Sequence, residues 1–265
     1  MRLSGQAKQV AAIFALKISP FIAGSATKTF WHKDDKMKFF KNTFAFLLVP
    51  AVAAAGYTLI KNLLHFMVSA GNQYIPFWIG ILCYIAFQII LYKPMKTYVF
   101  GHELSHAIAG ILSGAKIKKF NIGEESGSVA LTKSNIWTTL APYFFPIYTS
   151  AIIIIYISLG WFTDIKQFYG YFLFLVGFSI AFHIALTIYI LSIEQPDLRI
   201  HGTFFSYVVI FAVNAVVFIL LAALVFPGKI TVRDILLQIC GNTAGIYKFI
   251  YTGALEICSA FRETK

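Results

Sequence analysis

The sequence predicts an all-α polytopic membrane protein of about six membrane helices, with a short β-hairpin-like insert after a helix that carries the motif HELSH. Three observations lead there. Of 265 residues, 58% are hydrophobic and 12% charged, where a soluble domain carries about a quarter charged residues. Mean hydropathy is +0.74. The apolar residues also gather into runs long enough to cross a bilayer, without the period-2 alternation of barrel strands.

Residues 1–43 form a basic N-terminal segment, with eight Lys/Arg against Asp34 and Asp35. Its early part, KQVAAIFALKISPFIAG, is interrupted by Lys17 and Pro20 and the positive charge continues beyond it, so an interfacial amphipathic helix is expected rather than a cleaved signal. Residues 44–228 read as the membrane core, with spans at about 44–67 (broken by Lys61), 75–92, 97–114, 136–161, 168–191 and 203–226. The tail 229–265 mixes apolar and charged residues and reads as one or two interfacial helices, with a break at Gly241 and Asn242.

The third and fourth spans are separated by KIKKFNIGEESGSVALTKSN, which is polar, has Gly123 and Gly127, and holds β-prone runs at Ile117–Ile122 and Ser128–Thr132. A hairpin-like insert is expected there. Pro142 and Pro146 in LAPYFFPIY predict a kink in the fourth span.

Charge and cysteine content exclude some classes. The 22 basic and 11 acidic residues leave a formal charge of +11. In a membrane protein such an excess marks cytoplasmic loops and attraction to anionic lipid. No basic groove with interleaved aromatics accompanies it, so nucleic acid is not an expected partner. Cys83, Cys240 and Cys258 show no CxxC spacing and indicate no disulfide framework. The absence of an internal repeat argues against a transporter.

Within VFGHELSHAIAG, two histidines and a carboxylate interrupt an apolar run. On a helix, positions i and i+4 share a face, so His102 and His106 can offer two imidazole nitrogens to one zinc ion (Zn2+), while Glu103 can take a proton from a water beside it. In a chain with six His and six Glu, chance produces this pattern at a rate of about 0.003. Ionisable groups in membrane segments are costly and mark functional sites.

A catalytic zinc needs a third protein ligand and an open position. The metzincin continuation is absent, because Ala109 and Leu112 stand where its Gly and third His would be. Three candidates remain. Asp197 follows the fifth span in IEQPDLRIHG, His183 lies inside that span, and Glu124 or Glu125 lies in the insert, 18 or 19 residues after His106. Asp197 is the preferred reading and His183 the alternative. Asn135 is a candidate oxyanion donor, though a helix cap is the simpler expectation.

HELSHAIAGILSGAKIKKF, the Gly-rich insert and LAPYFFPIY together resemble the site-2 protease-like family of intramembrane zinc metalloproteases, best over roughly residues 95–205. The resemblance implies a helical membrane core, zinc held by His102 and His106, Glu103 as general base, and Asp197 as the ligand from a later span. The family's later motif usually reads Leu-Asp-Gly with Asn and Pro upstream. This chain has Gln195-Pro196-Asp197-Leu198, with Gly202 five residues after the Asp.

Topology adds a constraint. With a cytoplasmic N-terminus, Asp197 meets His102 only if residues 97–135 return to the side from which they enter. The expected function is therefore a zinc-dependent endopeptidase acting in or near a transmembrane segment of a membrane protein or peptide, with membrane lipid as its surroundings. The alternative is a non-catalytic membrane scaffold that keeps the fold.

Overall fold

The structure is a computed structural model and describes residues 26–265 apart from 70, 92, 93, 125, 194, 264 and 265. The expectation for residues 8–24 lies outside the described residues. The chain divides into two compact units, residues 1–46 and 47–265. Helix α1, Ala26–Ser69, begins in the first and ends in the second. It continues through Lys61, so that residue does not break the first span.

The second unit continues with α2 (Ile75–Leu91), α3 (Met95–Leu112), the strands β1 (Ile117–Ile122) and β2 (Gly127–Leu131), α4 (Ile136–Phe144), α5 (Ile147–Gly160), α6 (Tyr169–Leu191), α7 (Pro196–His201), α8 (Thr203–Val225) and α9 (Val232–Glu263). Four stretches among the described residues are long and apolar enough to cross a membrane: Lys36–Ser69, Asn72–Leu91, Lys166–Leu191 and Thr203–Val225. The pair α4 and α5, bent by 77°, makes a fifth if taken as one span. The expected six becomes four or five because α3, which holds Lys96, His102, Glu103 and His106, does not qualify.

The bend lies where the two prolines predict a kink. Pro146 has no N–H to bond the Pro142 carbonyl, so α4 stops at Phe144 and α5 starts afresh. Asn214 of α8 takes up part of the loss, donating from Nδ2 to the Tyr143 carbonyl at 2.9 Å. Thr149 and Ser179 then tie α5 to α6 through a buried 2.9 Å hydroxyl pair.

Helices α2 and α6 cross at backbone contact. A Cβ on Gly80 would stand 2.1 Å from the Phe174 carbonyl oxygen, and one on Gly177 would stand 2.1 Å from that of Phe77. Small residues allow this approach, the kind of close packing that joins apolar helices. The two run parallel, Pro76 lying by Gly170 and Tyr84 by Phe182. One buried cluster gathers Phe66, Tyr74, Phe77, Leu173 and Phe226. The second, around Tyr84, Tyr98, Tyr143, Phe182, Leu186 and Leu198, underlies the HELSH helix.

The insert is an antiparallel hairpin with Phe120 opposite Val129 and Ile122 opposite Gly127. It folds back along α3: Leu131 meets Gly110, Gly127 meets Glu103 and Val99, and Glu124 near the tip pairs with Lys96 at 3.4 Å. The C-terminal region departs from expectation. Gly241 and Asn242 make no break, and α9 is one helix of 32 residues. Its polar residues are used against α1, with Asn62 donating to Gln238 at 2.9 Å and Asn242 to the buried Thr58 hydroxyl at 2.8 Å.

Candidate metal centre

Helix α3 presents His102 and His106 on one face, their ring centroids 4.9 Å apart. Asp197 arrives from a segment some ninety residues later in the chain. Helix α6 ends at Leu191, Gln195 is extended, and Pro196 starts α7 with Asp197 in its first turn. That is a position suited to Pro and to a carboxylate. Two hydroxyls of α8 hold this turn: Tyr207 donates to the Leu191 carbonyl at 2.8 Å and Ser206 to that of Leu198 at 3.1 Å.

The Asp197 Oδ2 atom lies 3.4 Å from His106 Nε2 and 3.7 Å from His102 Nε2. Ligand atoms of the three residues all fall within 4.8 Å of one another, close enough to bind a metal ion. Bonds of about 2.0 Å to a tetrahedral ion put ligand atoms about 3.3 Å apart, and the two Asp197–His separations lie near that value.

The outer nitrogens are also held. His106 Nδ1 donates to the Thr138 carbonyl at 2.6 Å, which turns Nε2 toward Asp197. Tyr98, one turn before His102 on α3, places its hydroxyl 3.2 Å from His102 Nδ1. On the other side of the site, the Tyr143 hydroxyl donates to Asp197 Oδ2 at 3.1 Å. Burial alone would raise the Asp197 carboxyl, but the hydrogen bonds and charge of the two imidazoles outweigh it and hold it well below the usual carboxylate range.

Glu103 is buried on the wall of the same cleft, which has a volume of about 400 Å³ and is also lined by Ser128, Val129, Thr138 and Gln195. Burial pushes its carboxyl above the usual range, against the opposing pull of His102 and His106. Gly127 lets the strand pass here, since a Cβ would sit 2.6 Å from Glu103 Cγ and 2.8 Å from Val99 Cγ1.

Of the sequence candidates, the structure brings together His102, Glu103, His106 and Asp197. His183 is not part of the group and lines a separate cavity. Glu124 is exposed and pairs with Lys96, and Glu125 lies outside the described residues. Asn135 caps α4, its Oδ1 accepting from the Thr138 N–H at 2.9 Å. Sequence reasoning missed Tyr98, Thr138, Tyr143 and Asn214. Only Tyr98 carried a signal, its i−4 spacing from His102.

No family model, curated protein or solved structure matches this chain.

Proposed function

We propose that this protein is a zinc-dependent endopeptidase that hydrolyses a peptide bond in or near a transmembrane segment of another membrane protein. The observation that carries the reading is the meeting of His102, His106 and Asp197 with Glu103 beside them on one cleft. The resemblance of residues 95–205 to site-2 protease-like enzymes supports it.

His102, His106 and Asp197 would hold the ion, two neutral nitrogens and one carboxylate leaving a position open. Zinc, when bound, supplies Lewis acidity toward a carbonyl and makes water a better acid. Glu103 accepts a proton from the attacking water and later returns it to the leaving amine. Burial raises its carboxyl above the usual range, a shift in the direction that makes it a better proton acceptor. The cleft is large enough to admit water, and β2 borders it where an extended substrate would lie.

The test has two parts. Metal analysis of the full-length protein, purified without chelators, is expected to give about one zinc per chain. That zinc should be lost in His106→Ala and Asp197→Ala and kept in His183→Ala. Transmembrane model peptides in proteoliposomes should be cut by the native protein, whereas Glu103→Gln keeps zinc and cuts nothing. A native protein without zinc would replace this reading with that of a non-catalytic scaffold.

A further inference from the structure

His183 is left over from the metal centre. It sits on α6 in the interior, 8% exposed, and its Nε2 is buried with no hydrogen-bond partner among the described residues. Burying such a group unpaired forfeits its hydration with nothing in return. Beside it lies a cavity of about 20 Å³, between α3, the α4–α5 bend and α6, whose walls include Tyr98, Gly101, Pro142 and His183. That is room for one water molecule, provided it finds two to four polar partners.

Two residues of the cavity wall, Pro142 and Tyr98, carry groups with hydrogen-bonding capacity to spare. The Pro142 carbonyl stands four residues before Pro146, which has no hydrogen to give it. Tyr98 meets His102 Nδ1 at 3.2 Å. When His102 Nε2 faces an ion, its Nδ1 carries the proton and the Tyr98 oxygen accepts it. The Tyr98 hydroxyl hydrogen is then left for another acceptor.

We propose that the cavity holds one internal water molecule that accepts from the Tyr98 hydroxyl and donates to His183 Nε2 and the Pro142 carbonyl. All three groups are then satisfied by one molecule. The same water fastens α6 to the bend, whose first arm carries Thr138 and Tyr143, the partners of His106 and Asp197. His183 thereby becomes a positioning residue for His102, acting through water and Tyr98. That role rests on the metal-centre reading, whereas the water itself does not.

The experiment uses the full-length protein in detergent or nanodiscs. An experimental structure that shows ordered water should carry a peak within about 3 Å of His183 Nε2. A dry cavity, or His183 turned to a protein partner, overturns the proposal. In parallel, zinc affinity is measured by competition with a chelator. His183→Leu and Tyr98→Phe should each weaken it about tenfold, with the double variant no worse than either. His183→Gln, whose amide oxygen still accepts, should stay within about threefold of native.

Unchanged affinity in His183→Leu, even with a lowered Tm, or additive losses in the double variant, overturns the positioning role. A native protein that binds no zinc overturns the metal-centre reading and that role together, while the water peak still decides the water.

Discussion

The Tyr143 hydroxyl donates to Asp197 Oδ2 at 3.1 Å, joining residues 54 positions apart in sequence. Tyr143 is fully buried, and its backbone carbonyl is held by Asn214. The Asp197 carboxylate is thus aimed at the two imidazoles by a side chain that is itself fixed at both ends. Tyr143→Phe should weaken zinc binding about tenfold, the usual cost of losing a hydrogen-bond partner behind a metal ligand. Chelator competition measures it, and native affinity in this variant would remove Tyr143 from the site.

Asn214 is expected to act on stability first. Its amide serves the Tyr143 and Ile210 carbonyls at 2.9 and 3.0 Å. Asn214→Leu leaves the carbonyl at the bend without that donor, at a cost of about 1–3 kcal/mol. A lowered Tm in detergent is the expected result, and a Tm equal to native would show that the bend stands without Asn214.

Gly127 separates the catalytic proposal from metal binding. A methyl at this position would meet Glu103 Cγ at 2.6 Å and the Asn121 carbonyl oxygen at 3.1 Å, so either the strand or Glu103 must shift. A displacement of about 1 Å can cost about 10²-fold in rate. Gly127→Ala should therefore keep its zinc and lose most of its cleavage activity; full activity would mean that the strand does not fix Glu103.

The crossing of α2 and α6 tolerates no side chain. Gly80→Ala and Gly177→Ala each drive a carbon against a backbone oxygen, the hardest kind of neighbour to move. Overpacking of this kind costs about 1–3 kcal/mol. Reduced yield of folded protein and a lower Tm are expected for both, and native thermal behaviour would show that the helices can separate freely.

Metal removal gives an independent measure. Ligand that binds the folded chain alone stabilises it by about 2.7 kcal/mol at one hundred times its Kd. A chelator should lower the Tm of the native protein and leave that of His106→Ala unchanged. Equal responses of the two would place the metal elsewhere.

The sequence by itself determined a helical chain with helices apolar enough to cross a membrane, a polar hairpin after the motif helix, a bend at Pro142 and Pro146, and the shared face of His102 and His106. Each of these follows from neighbours in the chain: apolar runs, turn residues, missing N–H groups, and the i, i+4 spacing of a helix. Local pattern also misled at Gly241 and Asn242, where a packed partner helix, α1, accompanies an unbroken α9 and Thr58 accepts the hydrogen bond from Asn242. The sequence preferred Asp197 to His183, but the meeting of Asp197 with the two histidines depends on how α6, α7 and α8 pack. Only the tertiary structure shows that proximity, because the distances among His102, His106 and Asp197 are set by a parallel helix crossing, a Pro-initiated turn and the Tyr143 hydroxyl, which meet in space and not in sequence.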